Sequence, residues 1–455
     1  MYDLVVEDAT IVSGWEPRRV ADICVEHGRI VHVGDGASGA ARARVSAAGK
    51  LVMPGVIDGH VHFRSPGHPH KEDWASGSRA AASGGVTTVL DMPNTNPPTL
   101  TRMEWEQKRA LAAEHSRVNF GIWVGASAGR NDAINELMDS GDACGIKVFM
   151  GASTGPLLVD DDTLVRLFEQ TRGLIGVHAE EESVLEVLRT RCSSVEAPNH
   201  NVVRPPVAAT IAVRRLIELV EAHLRPVHIC HLSTEAESDL VEAARGVDRR
   251  RLPITTEICP HHLYLSADLP AAFGRPLENG ATTASGNWIK VNPPIRDDAD
   301  RRAMWSAVQR QRIDTIGSDH APHTMAEKAL PYWSAPSGIP GVETTLPLLL
   351  TAVRQGRITL ERVVQLCCEE PARVFGLKAK GAIREGHDAD FVVLGEPDLR
   401  PLTSDDIVCR VAWSPFEGMP MVPKPDAVYV AGRLVASHGR IVDDDVRGSL
   451  TRPGA

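Results

Sequence analysis

The chain has 455 residues, 43% hydrophobic and 24% charged, which fits a soluble globular protein with a large core and room for more than one domain. A net charge of −10 argues against nucleic acid or an acidic membrane surface as partner and leaves a small-molecule substrate as the expected one. No run approaches the roughly 18 apolar residues of a membrane span, and none of the eight cysteines forms a CxxC pair, which sets aside a cysteine-based zinc site.

The N-terminus, Met1-Tyr2-Asp3-Leu4-Val5-Val6-Glu7-Asp8, carries early acids and no basic n-region, so no signal peptide is read and a cytoplasmic protein is expected. Residues 1–54 hold short β-rich segments at 3–6, 21–26 and 29–33. Residues 385–445 repeat that style at 390–394 and 427–433. Neither end is large enough for a sheet core of its own, so the two are expected to meet in one small composite β-sandwich domain. Residues 446–455 read as a solvated tail. Nothing in these segments excludes a homo-oligomer.

Residues 55–384 alternate strand-like and helix-like patterns. Strands are predicted at 55–60, 86–91, 118–124, 145–149, 174–178, 226–231, 254–258 and 313–318. Amphipathic helices are predicted between them, among others at 73–83, 101–114, 161–171, 207–222, 235–245 and 297–310. Eight such units imply an α/β fold, a (β/α)8 TIM barrel with parallel strands and right-handed crossovers. A doubly wound sheet would usually show a glycine-rich phosphate loop after its first strand, and no such loop is present.

Active-site residues of such a barrel sit at the C-terminal ends of its strands. The first strand delivers His60 and His62, two apart and hence on one face. Two imidazoles placed so are either a pair of metal ligands or structural histidines. The fourth strand carries Lys147 in an otherwise apolar run, the fifth ends in His178, the sixth in His231 and the eighth in Asp319. Together these six describe a metal site. A buried ammonium is costly unless paired. Burial therefore favours either a salt bridge or a neutral amine able to add carbon dioxide as a carbamate.

Five segments share a resemblance. They are Gly59-His60-Val61-His62-Phe63-Arg64-Ser65-Pro66-Gly67, Asp91-Met92-Pro93-Asn94-Thr95-Asn96-Pro97-Pro98, Lys147-Val148-Phe149-Met150-Gly151-Ala152-Ser153-Thr154-Gly155, Val291-Asn292-Pro293-Pro294 and Ser318-Asp319-His320-Ala321-Pro322-His323. In this order they resemble the cyclic amidohydrolases, most closely the dihydroorotase branch that uses a carbamylated lysine. The resemblance implies two divalent metal ions, with zinc expected. One is held by His60, His62 and Asp319, the other by His178 and His231, and carbamylated Lys147 bridges them. It implies reversible opening of a cyclic amide by an activated hydroxide, with Asp319 as general base. It also implies substrate contacts from His62, Arg64, Asn94, Asn292, His323, Ser337 and Gly338, of which Arg64, Asn94 and His323 would hold a carboxylate. Sister enzymes acting on allantoin, hydantoins or dihydropyrimidines are the alternative, and an inactive structural homologue is a more distant one. Ser65 departs from the pattern, since members commonly carry Glu after the arginine. His261-His262 are expected to pack or to support the ligands, and His68, His70 and Lys71 to lie near the mouth.

Overall fold

The computed structural model describes residues 1–153, 155, 157–246, 251–268 and 287–454, so Thr154 of the quoted lysine segment and Ala455 of the tail lie outside the described residues. Eight parallel strands form a barrel in chain order: Val56–Val61, Val86–Asp91, Asn119–Gly125, Ala143–Phe149, Ile175–His178, Val227–Ile229, Ile254–Ile258 and Thr315–Ile316. All eight predicted strands are present. Nearly every residue in them is buried, as expected of strands covered on one face by helices and packed on the other inside the barrel. The eighth strand meets the first through a bridge between Val61 and His320 and through Asp58, whose Oδ1 accepts from the Ser318 amide at 3.0 Å.

The helices between the strands start where the sequence supplies caps. Asp73, Asp160, Thr234 and Asp297 each accept a backbone N–H in the first turn of the helix that follows. The helix Arg102–His115 starts at the Thr101–Glu104 capping box. None of the described helices is long and apolar enough to cross a membrane.

The two chain ends share one nine-stranded sheet. Its seam is the antiparallel pairing of Leu51–Pro54 with Phe391–Val393, which joins the N-terminal strands to Ala427–Val430 and Arg433–Ser437. Leu4, Ile23, Val25, Val52, Phe391 and Tyr429 build its core, separate from that of the barrel.

The tail is exposed over much of its length and is also anchored: residues 446–454 run along the start of the strand Asn119–Gly125. The Phe120 amide donates to Ser449 O at 3.0 Å and Phe120 O accepts from the Thr451 amide at 2.7 Å. Arg452 pairs with Asp142 at 2.9 Å, and Val446 is buried. Exposed strand-end backbone groups need partners, and a short polar segment supplies them. Its composition resembles a solvated tail because its pairing with Phe120 is made by backbone.

Candidate active site

The six expected ligands converge at the C-terminal end of the barrel on one cavity, lined also by Arg64, Asn94, Phe149, Ser153, Asn292, Ala321, Ser337 and Gly338. Three lining residues have positive φ without being glycine: Arg64 (+59°), His231 (+39°) and Asp319 (+45°). Such backbone costs on the order of 1–3 kcal/mol per residue and persists where the surroundings impose it. Here it bends the ends of the first, sixth and eighth strands so that these side chains enter the cavity.

The hydrogen bonds assign the imidazole tautomers. His60 Nδ1 lies 2.8 Å from Glu257 Oε1, and His62 Nδ1 lies 2.6 Å from Asn94 Oδ1. Both acceptors take an Nδ1–H, so each ring in its neutral, ligating form carries a lone pair on Nε2. These lone pairs face the same oxygen, Asp319 Oδ1, at 3.4 Å for His60 and 3.1 Å for His62. Three acceptors turned toward one another inside a protein repel unless a cation sits among them. Against burial and Lys147, Glu257 and Asp319 raise His60 to about 10, so without a metal that ring keeps a proton where a cation would otherwise sit. His178 gives its Nε2–H to Glu180 Oε2 at 2.9 Å and turns Nδ1 to His231 Nε2 at 3.1 Å. His231 Nδ1 is buried with no partner among the described residues. Two nitrogens on one zinc ion, at about 2.0–2.1 Å each, stand about 3.3 Å apart in a tetrahedron. The donor set and its spacing therefore fit two divalent ions, one at His60, His62 and Asp319 and one at His178 and His231. Burial pushes the His62 ring down to about 3 and His231 well below its usual range, so both stay neutral, the form that ligates.

Lys147 is wholly buried between these groups. Its Nζ lies 3.1 Å from Cys230 Sγ and 5.3 Å from the Phe149 ring centroid, and among the described residues no carboxylate stands within 4.0 Å. The salt-bridge alternative for this lysine is thus not observed.

Toward the mouth, Arg64 is 3% exposed. Its Nη2 lies 3.1 Å from His323 Nε2 and its Nε donates to Pro322 O at 3.4 Å. Among the described residues it too has no carboxylate within 4.0 Å. Burial lowers the guanidinium to about 10, with Asp319, Asp91 and Glu327 opposing from a distance. Asn292 forms another wall, with Oδ1 3.0 Å from His200 Nε2. Ser337 O accepts from His323 Nε2 at 3.0 Å. Gly338 donates its N–H to Lys290 O at 2.9 Å and its carbonyl accepts from Lys328 at 2.9 Å. What Gly338 offers the cavity is therefore a bare Cα. A Cβ there would stand 2.4 Å from Ala321 O, too close for any side chain.

Several contributors were not foreseen in the sequence. Glu257 holds His60 and also accepts from the His231 amide at 3.3 Å. Glu180 holds His178 and pairs with Arg204. Carboxylates behind metal-binding histidines fix tautomer and aim. Each had a signal: Glu257 is a lone charge in the predicted strand 254–258, and Glu180 lies two residues after His178. His261 and His262 are buried outside the ligand set, in a group with Cys259 whose ligand atoms lie within 4.8 Å of one another.

Comparison with known proteins agrees with this geometry. Residues 51–435 match the model of the amidohydrolase family. The chain belongs to that family. Among its relatives is a dihydroorotase from Halobacterium salinarum, 40% identical over 91% of this chain and 92% of the relative. An allantoinase from Rubrobacter xylanophilus is 34% identical over 99% and 98%. An L-hydantoinase (dihydropyrimidinase) from Arthrobacter aurescens superposes with a TM-score of 0.91, covering 99% of this chain and 100% of that one at 29% identity. Membership makes this chain a cyclic amidohydrolase of the TIM-barrel type with divalent-metal chemistry.

Proposed function

We propose that this chain is a dihydroorotase, opening the cyclic amide of (S)-dihydroorotate to N-carbamoyl-L-aspartate and closing it in the reverse direction, as pyrimidine synthesis requires. One observation carries the choice of substrate: Arg64, a buried guanidinium beside the ligand set with no carboxylate within 4.0 Å among the described residues. A buried charge without a counter-ion is strongly unfavourable. A substrate carboxylate supplies one, bidentately, whereas the uncharged rings of hydantoins, allantoin and dihydropyrimidines leave it unpaired.

On this reading residues 55–384 form the catalytic barrel, and residues 1–54 with 385–445 form the β domain beside it. Zinc suits the imidazole and carboxylate donors. Bound divalent ions lower the pKa of water and polarise a carbonyl. The Lys147 amine, after giving up its ammonium proton, attacks carbon dioxide, forming an N–C bond and releasing a second proton. The carbamate so formed would replace a buried, unpaired cation by an anion that, with His60, His62, His178, His231 and Asp319, would help hold the ions. Asp319 takes the proton of the attacking water and returns it to the departing ring nitrogen. In ring closure it takes the nitrogen proton first. Arg64, Asn94 and His323 hold the carboxylate, His62 borders it, and Asn292, Ser337 and Gly338 enclose the ring. The enzyme works on a small molecule in the cytoplasm, without nucleic acid or membrane, and a homo-oligomer remains compatible with it.

The test is turnover by the purified, metal-replete protein of dihydroorotate beside allantoin, hydantoin and dihydrouracil. A strong preference for dihydroorotate is expected. Preference for another ring overturns the carboxylate assignment of Arg64, Asn94 and His323 while leaving the metal chemistry in place.

A further inference from the structure

The loop after the first barrel strand carries Lys71, to which the reading above gives no task. Its Nζ lies 3.1 Å from His323 Nδ1 and 2.9 Å from Glu327 Oε1. Glu327 is itself fixed, since its Oε2 accepts from the Thr324 amide and hydroxyl, both at 2.9 Å. The Lys71–Glu327 pair thus joins the loop that bears Arg64 to the segment that bears His323, and the side chain of Lys71 is only 13% exposed.

An ammonium donates and cannot accept. His323 Nδ1 must therefore be an acceptor, and the ring hydrogen must sit on Nε2. That Nε2–H has Ser337 O at 3.0 Å, while Arg64 Nη2 stands 3.1 Å from the same nitrogen, donor facing donor. A carboxylate entering here accepts from Arg64 and shares the Nε2–H of His323 with Ser337 O. The opposite tautomer would behave differently. Its Nε2 lone pair would accept from Arg64 Nη2, and its Nδ1–H would turn toward Glu327 Oε2, 4.0 Å away. The clamp would then satisfy itself and withhold both groups from substrate.

We infer that Lys71 is a positioning residue that fixes His323 as the neutral Nε2–H tautomer and keeps Arg64 and His323 open for a substrate carboxylate. This deepens the proposed function and rests on its carboxylate clamp. The charged groups around His323 agree with a neutral ring: burial, then Arg64, Lys71 and Lys328, hold it well below its ordinary range, and Glu327 is the carboxylate nearest it.

Two readouts test it in the metal-replete enzyme. In Lys71→Met, KM for dihydroorotate should rise about tenfold, the size of one hydrogen bond to a charged group, with kcat falling less than KM rises. Lys71→Arg, which still donates, should restore KM. Separately, 15N spectra of histidine-labelled protein should show one neutral Nε2–H ring that disappears in His323→Asn. In Lys71→Met that ring should move to the Nδ1–H tautomer. An unchanged tautomer in Lys71→Met, or a loss confined to kcat, overturns the inference. Should Lys71→Met fail to fold, Lys71→Leu, which likewise cannot donate, makes the same comparison. If the parent protein does not turn over dihydroorotate, the proposed function falls, and the 15N result still decides the role of Lys71.

Discussion

Three lysines are wholly buried; Lys328 donates to the carbonyls of Lys290, Pro336 and Gly338, and the other two, Lys108 and Lys147, differ in whether a carboxylate stands beside them. Lys108, on the outer helix Arg102–His115, lies 2.6 Å from Asp91 Oδ2 and donates to Met92 O at 2.6 Å. Asp91 Oδ1 in turn accepts from the Phe63 amide at 2.7 Å. This pair ties the segment after His62 to the segment that leads to Asn94, so it braces the site from behind. Lys147, inside the barrel, has a thiol and a ring for neighbours and no carboxylate within 4.0 Å among the described residues. Burial alone does not mark a lysine as reactive, and charge does not either. The distinguishing mark of Lys147 is burial with neither a counter-charge nor a backbone carbonyl to donate to among the described residues, which separates it from Lys328 as well as Lys108, and Arg64 shares the lack of a counter-charge at the mouth.

The largest expected effect lies at Lys147. Lys147→Ala should lose bound metal and at least about 10³-fold in activity, the scale of removing one preorganised electrostatic element of a site. Metal content measured beside turnover checks this, and full activity with both metals bound would end the bridging role. Stability should separate the two lysines in the opposite sense. Lys108→Met leaves Asp91 buried and uncompensated and should cost about 3–5 kcal/mol in urea unfolding. Lys147→Met in the metal-free protein removes a cation that nothing neutralises, so its unfolding midpoint should hold or rise. If Lys108→Met were neutral and Lys147→Met unfolded the metal-free chain, the contrast would be reversed.

Much of the fold and of the cavity lining was legible in the sequence, and the limit of that reading is physical. The eight strands were readable because continuous apolar runs and capped amphipathic segments have fixed periods. The residues that meet in the cavity were readable because barrel topology places strand ends together, so His60, Lys147, His178, His231 and Asp319 could be joined without coordinates. What lay two contacts away was not readable. Glu257 sits 197 residues from His60, and Lys108 sits 17 residues from the Asp91 that neutralises it. Nothing in the sequence alone says that one buried lysine is paired and the other is not. The anchoring of the tail on the strand Asn119–Gly125 was not readable for a related reason, since its partners at Phe120 are backbone groups, which leave no trace in residue type.

At the mouth, Arg64→Gln should raise KM for dihydroorotate about 10–100-fold, in line with about 1.5–3 kcal/mol for a hydrogen bond to a charged group. It removes the second uncompensated cation, so the metal-free variant should not lose stability, as for Lys147→Met. An unchanged KM would remove Arg64 from the clamp and break the parallel between the two cations.

The smallest effect tests whether a counter-charge can be wrong in place while right in number. Glu257 accepts from His60 Nδ1 and stands 3.6 Å from His228 Nε2, so one carboxylate serves two buried rings. Glu257→Gln keeps the shape and removes the charge. Its amide can present either its oxygen or its N–H to His60, and the second choice forces the lone pair onto Nδ1 and turns Nε2–H toward Asp319. Metal affinity should fall about 10–100-fold, the usual range for supporting partners of metal-binding histidines. Competition with a chelator measures it. Unaltered affinity would mean that the ring of His60 is aimed by packing alone, and that carboxylates in this barrel serve to neutralise charge and not to set tautomers.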